Sequence, residues 1–192
     1  MNKRERFFAT VRGEKVDCPP VTAWVHFLSD HLTGEQTAAL HRCFLEAYDW
    51  DVAKVMNDYR YPVPAGVQTL EDPASLRAFK PLGLGEPAFD EQLKCLATLR
   101  AALGSDIAMI DTGFDPYQQV LRNVGFDQAE HMWKHQAEAL RALQVVAENT
   151  CRYIEAVKAQ GVEAYFLSIN GAIREGFPRG SNRQVYETFQ RP

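Results

Sequence analysis

The chain has no Lys/Arg-rich block: 21 basic residues stand against 25 acidic ones, for a net charge of -4. That balance leaves no electrostatic footprint for nucleic acid and nothing to grip an anionic membrane surface. Long apolar runs are also missing, and none approaches the length of a membrane span. At the amino terminus the opening charges of Lys3-Arg4-Glu5-Arg6 are followed by Arg12, Glu14 and Lys15 before a signal-peptide core can develop. The expectation is a cytoplasmic protein with neither nucleic acid nor membrane as partner. Cysteine is scarce and scattered, at Cys18, Cys43, Cys95 and Cys151. These positions form neither the C-x-x-C pairs of a zinc site nor a disulfide framework. No metal site is therefore expected within the chain, and Cys43, Cys95 and Cys151, on predicted helices, read as small core residues. Gly83-Leu84-Gly85 lacks the third glycine and preceding strand of a dinucleotide loop. Ser168 lacks the G-x-S-x-G elbow of a hydrolase nucleophile.

What is present is an alternation of short apolar runs and amphipathic stretches, in a chain whose 46% hydrophobic content is enough for a real core. Lys3 to Arg12 reads as a helix stopped by Gly13. Val21 to Phe27, rich in β-branched and aromatic residues, reads as a first strand. Thr33-Gly34-Glu35-Gln36 matches a capping box, predicting a helix from there to about Tyr48. Asp51 to Met56 is the second strand, and a strand, helix, strand order of this length implies parallel pairing. Asp72-Pro73 opens a short helix through cap and proline. Asp90 to Leu103 is the next, with Leu93, Leu96, Leu99, Ala102 and Leu103 on one face. Asp106 to Asp111 is a third strand, followed by the loop Gly113-Phe114-Asp115-Pro116 and a helix to about Asn123. A helical stretch from Asp127 to Ala159, broken near Gln136, leads to a fourth strand at Val162 to Ser168. Ser181-Asn182-Arg183-Gln184 matches a second capping box before a last helix through Phe189.

The fold class is thus α/β, with about four parallel strands and intervening helices. A complete (β/α)8 barrel typically needs eight strands and about 250 residues, so the pattern suits part of one. Arg191-Pro192 follows no turn or helix logic, and residues 1-192 read as a truncated amino-terminal half-barrel. Its open strand edges would favour a homodimer.

Ligands of parallel α/β proteins are handled at the carboxyl ends of strands. The leading candidate is therefore Asp58, just beyond the second strand, with Tyr59 beside it. His26 at the end of the first strand has the chemistry of an acid/base group near neutral pH. Asp111 at the end of the third strand and Ser168 at the end of the fourth complete the set. Tyr59, Tyr61 and Trp24 have the character of aromatic walls, though core packing explains them equally well. Asp115 reads as a helix cap. His131 and His135 are four apart on a helix, but Met132-Trp133-Lys134 between them lacks the glutamate of a zinc peptidase motif.

Taken together, several stretches resemble the uroporphyrinogen decarboxylase superfamily, whose members are (β/α)8 barrels. They are Lys3-Arg4-Glu5-Arg6 to Gly13 leading to Pro20-Val21, the strand from Asp51 to Asp58, Gly113-Phe114-Asp115-Pro116, and Phe166-Leu167-Ser168-Ile169-Asn170-Gly171-Ala172. The resemblance implies that Asp58 is the essential aspartate that faces a tetrapyrrole substrate during cofactor-free decarboxylation, and that Ser168 hydrogen-bonds substrate. True decarboxylases also carry a pair of arginines after the first strand to bind the substrate carboxylates. The corresponding region here is Trp24-Val25-His26-Phe27-Leu28-Ser29-Asp30-His31. The same superfamily contains corrinoid-dependent methyltransferases, which lack that pair and hold zinc in the second half of the barrel. That alternative implies zinc ligands beyond residue 192 and a corrinoid protein as partner. An inactive half-barrel scaffold is the third reading.

Overall fold

The computed structural model describes residues 1–169 and 182–191. The chain forms two compact units. The first is built from Met1–Tyr59, Pro87–Gly113 and Ile154–Phe166; the second from Arg60–Glu86, Phe114–Tyr153 and the described residues from Leu167 onward.

In the first unit, helix α1 (Lys3–Val11) starts with a reciprocal box: the Asn2 side chain accepts from the Glu5 amide, and the Glu5 carboxylate accepts from the Asn2 amide. It ends at Gly13, whose φ of 71° suits a residue without Cβ. Helix α2 (Gly34–Tyr48) has the predicted Thr33/Gln36 box and closes at Asp49 in the left-handed region. Strand β1 (Val52–Met56) pairs parallel with strand β2 (Ala108–Phe114), in register from Val52 opposite Ala108 to Met56 opposite Thr112. Strand β3 (Ala164–Ser168) adds to the far side of β2. Helix α4 (Pro87–Leu103) buries Phe89, Gln92, Cys95, Leu96 and Leu99, a three-to-four-residue stripe. It packs on α2 so closely that a Cβ on Gly34 would lie 2.2 Å from the Glu91 carbonyl oxygen.

In the second unit, helix α3 (Pro73–Arg77) is capped by Asp72, whose side chain accepts from the Ala74 amide at 2.8 Å. Helix α5 (Pro116–Val124) is capped by Asp115. A 3-10 turn at Phe126–Gln128 precedes helix α6 (Ala129–Lys134), and α6 breaks at His135 before helix α7 (Gln136–Ala159). Helix α8 (Asn182–Val185) runs into a π-helical turn, Tyr186–Gln190. The Asn170-Gly171-Ala172 stretch and the Ser181 cap lie outside the described residues. Among the described residues no helix is long and apolar enough to cross a membrane.

Four expectations need correction. Val21 to Phe27 forms no regular strand, so the described residues hold three strands, not four. The Val21 carbonyl accepts from the Asp51 amide at 2.9 Å, but the neighbouring positions are taken by side chains. Asp51 Oδ2 accepts from the Val21 amide, and Thr22 Oγ1 donates to the Val52 carbonyl, each at 2.8 Å. Side chains thus dock the segment on β1 where a backbone ladder would have run. Strand β2 continues three residues past Asp111, which is therefore mid-strand; Gly113 lets it continue, because any Cβ there would meet the Tyr165 hydroxyl. Helix α4 begins at Pro87, three residues early, since proline fits a first helical position that has no intrahelical N–H partner to lose. Cys43 and Cys151 are exposed and only Cys95 is core; their neighbours supply the buried face instead.

Candidate functional site

The mouth of β1 is shaped by a division of labour between two adjacent residues. The Asn57 amide donates to the Thr112 carbonyl at 3.3 Å, extending the ladder by one residue. Its side-chain oxygen accepts from the Tyr59 amide at 3.0 Å, which closes the turn. Because Asn57 makes the turn, the Asp58 carboxylate is directed at the segment before α2. Its Oδ1 lies 2.6 Å from His26 Nδ1. Its Oδ2 accepts from the Ser29 amide at 3.1 Å and from Ser29 Oγ at 3.2 Å. The Asp58 side chain is 5% exposed and that of His26 is 32% exposed, so the imidazole is the solvent-facing member of the pair. Burial by itself raises the Asp58 pKa, but the bonds from His26 and from both Ser29 donors outweigh it and hold the carboxyl below its ordinary value. A carboxylate on Nδ1 requires the proton there, which leaves Nε2 as the acceptor nitrogen of the neutral ring.

Ser29 was not singled out from sequence. It is fully buried, and it follows Leu28, a non-glycine residue at φ 55°. A side chain in that region costs on the order of 1 kcal/mol or more, and the three bonds converging on Asp58 maintain it. The only sequence signal was a serine three residues after a histidine at a strand end, which is too common to read.

The other candidates occupy different settings. Tyr59 donates its hydroxyl to the Leu32 carbonyl and lies 3.0 Å from Thr37 Oγ1, pinning the loop to α2; burial raises its pKa. Asp111, opposite Val55, is fully buried and accepts from Gln92 Nε2 on α4 at 2.9 Å, so it lies on the helix-covered side of the sheet. His41 on α2 is also buried, and desolvation lowers its pKa to about 4 against a bond to the Met56 carbonyl and the charge of Asp58. Trp24 stands beside the site, its ring centroid 5.8 Å from that of His26.

Ser168 and Asp115 belong to the second unit. Ser168 is 6% exposed, and its carbonyl accepts from the Asp115 amide at 3.3 Å. The Asp115 side chain accepts from the Gln118 amide at 3.2 Å and from Gln190 Nε2 at 3.3 Å. Burial nevertheless raises its pKa to about 6. Tyr61 is buried in the same unit and accepts from Asn149 Nδ2 at 2.6 Å. The helix break at His135 separates it from His131, and His135 Nε2 lies 3.0 Å from the Glu71 carbonyl oxygen. Among the described residues no three His, Cys, Asp or Glu side chains gather as a metal-ligand set.

No protein family matches the chain, and no protein of described function matches it. Among solved structures, it is similar to a methyltransferase from Methanosarcina mazei, with a TM-score of 0.74 and 16% sequence identity. The likeness covers 98% of this chain and 64% of the methyltransferase, so the chain spans under two thirds of that protein's length. At this identity the likeness is one of fold. With the parallel β1-β2-β3 order, it identifies the fold as an α/β, partial (β/α)8 barrel.

Proposed function

We propose that the chain is part of a barrel enzyme of the uroporphyrinogen decarboxylase superfamily that transfers a methyl group to or from a small molecule, with the Asp58–His26 pair as its polar centre. The observation that carries this reading is the engagement of Asp58. Its two oxygens offer about four acceptor sites, and three are used by His26 and Ser29. Little capacity remains to face pyrrole N–H groups, which weakens porphyrinogen decarboxylation. The segment from Trp24 to His31 also has no arginine to bind the many carboxylates of such a substrate. The fold likeness to a methyltransferase points the same way.

In this reading Asp58 is a positioning residue and His26 the group that meets substrate. The carboxylate fixes the Nδ1–H tautomer and the ring plane, which makes Nε2 the acceptor nitrogen of the neutral ring. As acceptor, Nε2 has the chemistry to take a proton from a hydroxyl, thiol or ammonium, or to orient the group that carries the methyl. Ser29 restrains the carboxylate from behind. Corrinoid-dependent methyltransferases of this superfamily use zinc to activate a thiolate. The described residues hold no fitting ligand cluster, so no step here is assigned to zinc.

The test is to incubate the complete barrel protein with cob(I)alamin and a panel of O-, N- and S-methyl compounds, following methylcobalamin by its absorbance. Methylcobalamin formation that is lost in His26→Gln is the expected result. Release of carbon dioxide from uroporphyrinogen, with no methyl transfer from the panel, would replace this reading with decarboxylation.

A further inference from the structure

Asp58 and Tyr59 are adjacent in sequence, yet they hold opposite ends of one turn. The turn is residues 29–32, closed by the Leu32 amide donating to the Ser29 carbonyl at 2.9 Å. At its first residue, the Ser29 amide and hydroxyl both donate to Asp58 Oδ2. At its last, the Leu32 carbonyl accepts from the Tyr59 hydroxyl at 3.0 Å. A carbonyl can only accept, so this bond uses the single phenolic proton. The Thr37 hydroxyl, 3.0 Å away, is therefore the donor to the Tyr59 oxygen. Thr37 is a fully buried residue of α2. The bonds thus run in one direction, from α2 through Tyr59 to the far end of the turn, and all of these residues belong to the first unit.

The turn needs such an anchor, because the chain enters it through Leu28 at φ 55°. A residue with a Cβ leaves that region unless its surroundings hold it there. Two of the ties, from His26 and from Ser29, end on the Asp58 carboxylate itself. The Tyr59–Leu32 bond is a tie of another kind, since it fastens the turn to α2 independently of Asp58. The phenol is well placed to do so. Its own backbone amide donates to Asn57 Oδ1 at 3.0 Å, which fixes where the side chain starts. Burial raises its pKa, so the hydroxyl keeps the proton that it donates.

We infer that Tyr59 is a positioning residue for the Asp58–His26 pair: by holding the Leu32 carbonyl, its hydroxyl keeps the turn closed and Ser29 on the Asp58 carboxylate. Tyr59 acts through Leu32 and Ser29 and does not itself meet substrate. The inference deepens the proposed function by adding a residue to the same polar centre. It rests on that reading for the part the pair plays in turnover, and on the hydrogen bonds alone for the coupling.

The test is NMR titration of carbon-13-labelled aspartate side chains in Tyr59→Phe, which deletes one oxygen and keeps the ring. Without its anchor the turn relaxes from the left-handed geometry at Leu28, Ser29 withdraws its donors, and the charged form of Asp58 loses stabilisation. The acid dissociation constant of Asp58 should fall about threefold or more, while Asp115 in the second unit titrates as in the natural protein. His26 and the buried His41, the imidazoles coupled to Asp58, are the same in both proteins. Adding Leu28→Gly removes the strain that opens the turn and should recover most of the natural Asp58 titration. An unchanged Asp58 titration, or an equal shift of Asp58 and Asp115, would overturn the inference. A double variant that stays shifted would do the same, because the effect would not be travelling through the turn. Should Tyr59→Phe fail to fold, Thr37→Val, which keeps the side-chain shape and removes the donor to Tyr59, is read by the same criteria. No methyl transfer is measured, so failure here is distinct from failure of the methyltransferase reading.

Discussion

Asp58 in the first unit and Asp115 in the second both follow a parallel strand, both are nearly inaccessible, and both hydrogen-bond a backbone amide. Their carboxyls nevertheless move in opposite directions. Asp58 is held below its ordinary pKa because an imidazole N–H, an amide and a hydroxyl converge on it. Asp115 meets the Gln118 amide and a long contact from Gln190, which do not offset burial, and it rises to about 6. A buried carboxylate is therefore defined by its donors more than by its burial or its place in the strand order. Asp58 is built to stay charged and hold a histidine, whereas Asp115 is a helix cap with a burial penalty.

The largest expected effect breaks the first half of this contrast. On the proposed function, Asp58→Asn removes the charge that fixes the His26 tautomer, and methyl transfer should fall by about 10²- to 10⁴-fold, with a stability loss of about 1–3 kcal/mol because the amide NH2 faces one of the donors that converge on the carboxylate. Unchanged turnover would remove Asp58 from the mechanism.

The second half is tested through pH. Asp115 has a folded pKa of about 6 against an ordinary 3.8, so the folded state holds this proton more tightly. Its contribution to stability is greatest below pH 3.8 and declines as pH rises to 6. Asp115→Asn keeps an N-cap side chain and removes the titration. Between pH 4 and 6 it should gain on the natural protein by about 1–3 kcal/mol in urea unfolding. A constant difference across that window would show that Asp115 titrates normally.

His41, buried in the first unit, should tilt the profile the other way. Its folded pKa of about 4 lies below the ordinary 6.5, so the unfolded state binds the proton and stability grows as pH rises from 4 to 6.5. Replacing His41 with Phe should remove roughly 1–3 kcal/mol of that rise, read from the same urea series. An unaltered slope would mean that the imidazole is not desolvated.

The smallest effect concerns the turn that brings Ser29 onto Asp58. Leu28 is 72% exposed at φ 55°, so Leu28→Gly loses little packing and should stabilise the protein by about 0.5–1 kcal/mol. A loss of stability would show that the leucine side chain contributes packing that outweighs the strain.

Much of the scaffold was legible from local signals. The Thr33 and Asp72 caps, the apolar run of β1 and the stop at Gly13 are each written in a few adjacent residues, and each appears where expected. The misreadings arose where partners far apart in sequence decide the outcome. Val21 to Phe27 has strand composition, but Asp51 and Thr22 side chains replace its ladder. Asp111 looked like a strand-end group because Gly113 looked like a turn; the glycine instead admits Tyr165 and lets the strand continue. At the candidate site, Asp58 could be named as a carboxylate beyond a strand, and His26 was named at the end of a segment that forms no strand. Their contact across 32 positions, and the part played by Ser29, follow from the turn at Leu28, which no local pattern announces.

The central claim is that Asp58 is an ionised carboxylate committed to His26. Titration of carbon-13-labelled aspartate side chains by NMR addresses it directly, with Asp58 and Asp115 assigned through their Asn variants. The account predicts that Asp58 titrates below the ordinary carboxylate range while Asp115 titrates near pH 6. An Asp58 carboxyl that titrates at or above the ordinary range would contradict it.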